Sequence, residues 1–265
     1  MDKAYLIKKI KEEVKTIKAP KSIRDFKGLH FTGNRKVEDS YWFIPNINSV
    51  EVFNDYMKEE NPSNKDLNLL YNTTKDNTIC NKDRCNECSK YCYCEKAKFY
   101  KNNLSSRFNR LLEYLSNKDL LKRKIESQLL LCDVVRIHTE GDFFNVEYCK
   151  WWLTLAKENK TVKFYTYTKQ FEIVIQAMKE LKIKTLPRNF YLQLSYDNKA
   201  TYELPQELLN LKRVNVYYVV DEEDIKNGNY IKFYGEDNMQ ICKGVCKKCR
   251  QCYKTSNKVT LCKKH

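Results

Sequence analysis

Residues 134–143 read Val134-Val135-Arg136-Ile137-His138-Thr139-Glu140-Gly141-Asp142-Phe143, and this stretch decides the fold. Three β-branched residues in a short run, followed by a polar turn containing a glycine, predict a strand over 134–138 that ends in a loop. Downstream, Val146 to Lys157 predicts a helix, Val162 to Tyr167 a second strand, and Phe171 to Leu181 a second helix with Phe171, Val174, Ile175 and Met178 on one face. Asn189 to Tyr196 and Val214 to Val220 predict two more strands, with a short helix at Gln206 to Leu211 between them. These strands start about 25 to 30 residues apart, which leaves room for one crossover helix per step and so predicts right-handed βαβ units in a mostly parallel sheet. The fold class expected is α/β, a partial (β/α) barrel or an open sheet of about four or five strands, against the eight of a closed barrel. In either form chemistry belongs at the C-terminal ends of the strands.

Upstream, Leu6, Ile10, Val14 and Ile17 recur at helical spacing with lysines on the other faces, predicting an amphipathic helix that ends at Ala19-Pro20. It is read as an appendage over 1–32, leaving 33–265 as a single α/β metal-binding domain that ends in a cysteine motif over 242–262. Tyr41 to Pro45 predicts a short strand, and the polar stretch from about Asn61 to Asn77 a loop without a core pattern. Leu104, Phe108, Leu111, Leu112 and Leu115 mark one further helix, and Leu120, Leu121, Ile125 and Leu129 another.

Lys and Arg total 49 against 34 Asp and Glu in 265 residues, a formal charge of +15. Such an imbalance attracts polyanions and makes nucleic acid the first partner to consider. A chain rich in Lys, Asn, Ile and Tyr, as an AT-rich genome produces, accounts for the same excess. The N-terminal stretch mixes acidic residues with lysines and has no apolar block of signal-peptide length, and no segment approaches the ~20 apolar residues of a membrane span. A cytoplasmic protein with no membrane partner is expected. Twelve cysteines in a reducing compartment then argue for metal ligation or redox chemistry over a disulfide scaffold.

The cysteines fall into two groups. Cys242, Cys246, Cys249 and Cys252 form a C-x3-C-x2-C-x2-C run, with Cys262 ten residues on. Thiols this closely spaced wrap one face of a compact cluster, because each short loop turns the next sulfur towards the same centre. Zinc more often takes two knuckles separated by a dozen or more residues, so an iron–sulfur cluster, most simply 4Fe-4S, is the first reading and zinc the alternative. The C-x3-C-x2-C part has the spacing used by radical S-adenosylmethionine enzymes, but there the motif follows the first strand and here it follows the last predicted one. The middle group is Cys80, Cys85, Cys88, Cys92 and Cys94, and it does lie between the first predicted strand and a helix. Cys132 and Cys149 stand alone among apolar residues and read as small core hydrophobes.

At the strand ends, Glu140 and Asp142 are the candidate catalytic carboxylates, able to orient a ligand or act as acid and base. Asp142 serves equally well as a helix cap, and His138 as filler of a strand end. Later ends present Tyr165, Tyr167, Thr168 and Lys169, then Ser195 and Asp197, then Asp221. Aromatic and polar residues converging there suit a base or nucleoside, which makes Thr168, Ser195 and Asp197 the candidate cofactor-binding residues.

The motifs Gly33-Asn34-Arg35-Lys36, Ser40-Tyr41-Trp42-Phe43-Ile44-Pro45, Cys92-Tyr93-Cys94-Glu95-Lys96-Ala97, Arg136 to Phe143, Phe164 to Thr168, Leu194-Ser195-Tyr196-Asp197 and the final cysteine run occur in collinear order. In this the chain resembles the phage "gene product eighty-eight" family. The family's pattern of a lone Cys followed by C-x3-C-Tyr matches Cys80, Cys88 and Cys92-Tyr93, which implies Cys80, Cys88 and Cys92 as metal ligands and makes Cys85 and Cys94 local additions. A long insertion before Cys80 departs from that pattern. Such proteins look like distant relatives of the radical S-adenosylmethionine barrel, and the resemblance implies an iron–sulfur cluster over the C-terminal strand edge, with S-adenosylmethionine as a candidate cosubstrate. The function expected is thus a phage- or mobile-element-encoded iron–sulfur protein acting on or binding nucleic acid or a nucleotide. A non-enzymatic nucleic-acid-binding module stapled by zinc or iron–sulfur is one alternative, and a regulator or inhibitor that binds a host protein is another.

Overall fold

In the computed structural model, residues 2–16, 28–34, 37–46, 53–54, 56–58, 62–75, 101–130, 132–138, 141–197, 199–244 and 249–264 are described. The strands are β1 (Gly28–Asn34), β2 (Val37–Asn46), β3 (Val134–Arg136), β4 (Lys163–Thr168), β5 (Phe190–Asp197), β6 (Val214–Val220), β7 (Met239–Ile241) and β8 (Val259–Lys263). The helices are α1 (Lys3–Thr16), α2 (Asn64–Lys75), α3 (Lys101–Ser116), α4 (Lys118–Leu129), α5 (Val146–Glu158), α6 (Phe171–Glu180), α7 (Gln206–Leu209) and α8 (Glu222–Asn227). The chain divides into two compact units: Met1–Thr32, Trp42–Ile79 and Tyr93–Leu131 make the first, and Gly33–Tyr41, Cys80–Cys92 and Cys132–His265 the second.

The first unit carries helices α1 to α4. α1 packs on α2, α2 on α3, and α3 on α4, with Leu6, Ile10, Leu67, Leu70, Phe108, Leu112, Leu121 and Ile125 all fully buried or nearly so. Leu120, which periodicity places on the apolar face of α4, is exposed. Helix α2 overturns the loop expected from about Asn61 to Asn77. Its apolar content is small, but its start carries the S/T-x-x-acid pattern, in which a serine side chain satisfies one orphan amide donor of the first turn. The Asp66 N–H donates to Ser63 Oγ at 3.2 Å, and Ser63 Oγ donates to Asp66 Oδ2 at 2.7 Å.

The second unit carries the α/β sheet from the first half of β2 (Val37–Tyr41) onward, while most of β1 (Gly28–Thr32) and the rest of β2 (Trp42–Asn46) belong to the first unit. Strand order is β1-β2-β3-β4-β5-β6-β8-β7, and every pairing from β2 through to β7 is parallel. From β3 to β6 each strand lies beside its predecessor, with α5, α6 and α7 between them in sequence, as the spacing predicts. The order is linear, which makes an open sheet, and it has more strands than the expected four or five. β7 and β8 were not legible, and they correct the placement of the cysteine run. The run does not trail the last strand but forms the crossover between two parallel neighbours.

Alternation gives this sheet two chemically different faces. Phe164, Thr166, Phe190, Leu192, Leu194, Val214, Val216, Val259 and Leu261 share one face through their register and are buried. α5 covers it at the Trp152–Phe164 ring contact, centroids 6.5 Å apart. Asn189, at the foot of β5, directs its Nδ2 to the carbonyls of Ala156, Asn159 and Val162 at 2.9, 2.9 and 2.7 Å, tying the end of α5 and the following turn to the sheet. The opposite face carries Arg136, Tyr165, Tyr167, Tyr191, Gln193, Ser195, Asn215, Tyr217 and Thr260. It is polar and aromatic.

Candidate functional site

Gly141 adopts φ +79°, a left-handed conformation that a side chain disfavours. The next residue, Asp142, lies against the end of β4. Asp142 is buried, and its carboxylate accepts from the Phe143 N–H (2.7 Å), the Thr168 hydroxyl (2.6 Å) and the Lys169 N–H (2.6 Å). Burial raises its pKa to about 6, outweighing these donors and the nearby Lys169 ammonium, which pull the other way. Thr168 Oγ1 in turn accepts from the Gln170 N–H at 2.9 Å, so the carboxylate and hydroxyl together close the entry to α6.

Beside them Lys169 Nζ donates to Asp197 Oδ2 at 3.2 Å, both side chains less than a tenth exposed. The Tyr202 ring lies 5.8 Å from the ammonium. Thr168, Lys169 and Asp197, expected at one edge, are therefore brought together with Asp142 at the C-terminal ends of β3, β4 and β5. Ser195 pairs in register with Tyr217 on the polar face. Asp221 lies apart and holds Lys264 at 3.1 Å. His138 is buried, with Nδ1 3.0 Å from Thr166 Oγ1 and its ring edge-on to Phe143. Glu140 falls outside the described residues, as do Cys80, Cys88, Cys92 and Cys246.

Of the predicted ligands, Cys242, Cys249 and Cys252 are described, and all three are thiols. Of the crossover that carries them, the 3-10 turn Gln251–Tyr253 sits on the polar face, against β4 and β5. Sequence reasoning missed what holds it there. Gln193 Nε2 donates to the Cys252 carbonyl at 2.8 Å, Asn215 Nδ2 donates to the Thr255 carbonyl at 3.1 Å, and Asn215 Oδ1 accepts from the Lys258 N–H at 3.0 Å. Tyr253 packs with Val134 and Tyr165. The signal was present: Gln193 and Asn215 are amides in the middle of otherwise apolar strands, on one face, and buried amides demand partners.

Around the sulfurs the face is aromatic. Tyr167 Oη donates to Cys252 Sγ at 3.2 Å, and the Arg136 guanidinium stands 4.7 Å over the Tyr167 ring. Tyr167 and Tyr217 meet edge to face at 4.9 Å. The Tyr217 hydroxyl is held well above its ordinary pKa, first by burial and then by its electrostatic interaction with Cys262, Cys242 and Cys252. Among the described residues no three His, Cys, Asp or Glu side chains already stand as a metal-holding group. Of the two lone cysteines, Cys149 is fully buried on α5, as a core thiol is, whereas Cys132 is only half-buried, and burial with the neighbouring Asp133 pushes its thiol up to about 12.

No described helix is long and apolar enough to cross a membrane. No curated protein and no solved structure matches the chain. The family model described as Gene product 88 matches residues 52–255, which takes in Arg136 to Phe143, the strand-edge cluster and the cysteine run through Cys252, and so the chain belongs to the Gene product 88 family.

Proposed function

We propose that this protein is a phage- or mobile-element-type iron–sulfur protein that acts on or binds nucleic acid or a nucleotide. In this reading Cys80, Cys88 and Cys92 hold one metal centre, and the C-terminal run Cys242, Cys246, Cys249 and Cys252 holds a second or completes the first. The observation that carries it is the seating of Cys252, the last thiol of the C-terminal run, on the polar face of a parallel sheet, in a run of thiols of the kind that selects iron–sulfur clusters or zinc. Such a cluster, when bound, supplies an electron-transfer or Lewis-acid centre. The chain's own residues position what lies beside it: Asp142 fixes the backbone of Lys169, and Lys169 with Asp197 sets a buried charge pair at the edge where a ligand reaches the sheet. Thr168, Ser195 and Asp197 are the cofactor-side residues, and Glu140 is the carboxylate assigned to acid–base work. S-adenosylmethionine is the cosubstrate that kinship with the radical S-adenosylmethionine barrel would require. The parallel strands and the sulfurs on one sheet face support that kinship.

Anaerobic purification followed by iron, zinc and acid-labile sulfide analysis is the test. A brown protein with visible absorbance that bleaches on reduction is expected, and the same sample is assayed for reductive cleavage of S-adenosylmethionine. A colourless protein with stoichiometric zinc would sink the iron–sulfur reading.

The charge of +15 favours a second reading, in which metal only staples the crossover and lysines contact phosphate. It expects steeply salt-dependent DNA or RNA binding that survives Glu140→Ala and Asp142→Ala. Co-purification of a host protein with no nucleic-acid affinity would point instead to a regulator.

A further inference from the structure

The C-terminal cysteines that the sheet brings together are not the four of the close-spaced run. The register Ile241 with Leu261 continues one step further, because the Cys242 N–H donates to the Leu261 carbonyl at 2.7 Å. Cys242 therefore lies beside Cys262 at the C-terminal ends of β7 and β8. Cys262 pairs with Val219, and by alternation it shares the polar face with Tyr217. From the other side, the crossover returns over β4 and β5 and delivers Cys252 to the Tyr167 hydroxyl, whose ring contacts Tyr217. Three thiols from three chain segments thus flank one tyrosine.

Two features of this place suit bound sulfur better than a bare thiol. A thiol sulfur is a weak acceptor and a thiolate a strong one, yet a phenol donates here, Tyr167 to Cys252 at 3.2 Å, and a second, Tyr217, stands edge to face against it on the face that carries Cys262. Donors of this kind orient and tune coordinated thiolates. Gln193 adds an independent sign. It is fully buried on the same face, its Nε2 is taken by the Cys252 carbonyl, and its Oε1 has no hydrogen-bond partner among the described residues. A buried acceptor left in that state points to something further on this face.

We propose that Cys242, Cys252 and Cys262 are thiolate ligands of one metal centre on the polar face of the sheet, with Tyr167 and Tyr217 donating hydrogen bonds to the bound sulfurs. Cys262 is the fixed member, because it lies within a strand, is buried, and is flanked on both sides by other strands. The thiols do not already form a closed group, so binding draws Cys242 and Cys252 in towards it. The ligand is a thiophilic metal, either iron in a cluster or zinc. The proposal rests on the reading that the C-terminal run binds metal, and it differs from that reading in making the outlying Cys262 a ligand.

The full chain is purified anaerobically as wild type, Cys262→Ser, Cys149→Ser and Tyr217→Phe, and iron, zinc and sulfide per chain are measured. Each is also titrated with cobalt(II), whose thiolate charge-transfer absorption reports sulfur ligation directly. Cys262→Ser is expected to weaken cobalt binding about tenfold or more and to lower the charge-transfer intensity, while Cys149→Ser, a buried thiol on the helical face, leaves both unchanged. Tyr217→Phe is expected to bind metal with a shifted charge-transfer band and about tenfold weaker affinity. This arm decides the matter if Cys262→Ser fails to fold by circular dichroism. Wild-type binding and spectrum in Cys262→Ser, or in Tyr217→Phe where the serine variant is unfolded, would overturn the assignment alone. A wild-type chain that takes up no iron, zinc or cobalt would overturn both the assignment and the reading beneath it.

Discussion

Lys169 and Asp197 form an ion pair at 3.2 Å that is almost wholly removed from solvent, across the C-terminal ends of neighbouring parallel strands. Two buried charges are tolerated because each offsets the other, and removing one leaves the other less compensated in a medium that solvates it poorly. Asp197→Asn and Lys169→Met are each expected to cost about 3–5 kcal/mol in urea unfolding. The double variant Lys169→Met with Asp197→Leu should cost clearly less than the two single losses added together. Simple additivity would mean that the pair is not coupled.

Asp142 gives the fold a pH dependence of unusual sign. Its folded pKa, raised from 3.8 to about 6 by burial, lies above the unfolded value, so the folded state binds the proton more tightly. Between those two values the unfolded chain has released its proton and the folded chain has kept it. This group's contribution to stability is therefore full below the window, falls as pH rises through it, and is flat above. Asp142→Asn should remove that slope. Urea midpoints measured on either side of the window in both proteins check it, and an equal slope in the variant would assign the dependence elsewhere.

The β3 to β6 core of the sheet was legible because it obeys simple periodicity: apolar runs such as Phe190 to Tyr196 alternate with amphipathic helices such as Phe171 to Glu180. What escaped was short or disguised. β7 is a three-residue strand, and β8 hides Val259 and Leu261 between lysines and a cysteine. Helix α2 was hidden by its polar composition, although Ser63 and Asp66 announced its start. For the site, sequence identified residues with the right donors and acceptors but not their partners. Thr168, Asp197 and Asp142 do converge, yet they spend those groups largely on one another and on backbone amides. Gln193 and Asn215, passed over as strand interior, are the side chains that dock the cysteine crossover. Chemical type gives the capacity to bond, and only the register of the strands says to what.

Asn189 makes a similar local staple, with one amide nitrogen facing the carbonyls of Ala156, Asn159 and Val162. Asn189→Ala leaves those carbonyls short of a donor and should cost about 1–3 kcal/mol. Asn189→Asp should be worse, because a carboxylate would face the same three oxygens. Thermal unfolding of both variants provides the comparison, and an aspartate variant as stable as the alanine one would argue that the loop simply rearranges.

The docking of the cysteine crossover can be separated from the stability of the sheet beneath it. Asn215 bonds the crossover twice, at Thr255 and Lys258, and Gln193 once, at Cys252. None of these bonds joins two strands of the sheet, whose own backbone ladder remains whole in their absence. Gln193→Leu with Asn215→Val should therefore raise amide hydrogen exchange across residues 249–258 well before it raises exchange in β4, β5 or β6. The loss should centre on Tyr253 and Lys258, whose amides bond the Arg250 carbonyl and the Asn215 side chain. If a metal centre also anchors the crossover, adding the metal should restore much of the protection in the double variant, since ligand binding to the folded form opposes opening by mass action. Uniform exchange over the whole sheet would instead mean that crossover and strands open as one cooperative unit, with the polar face as much a part of the core as the apolar one.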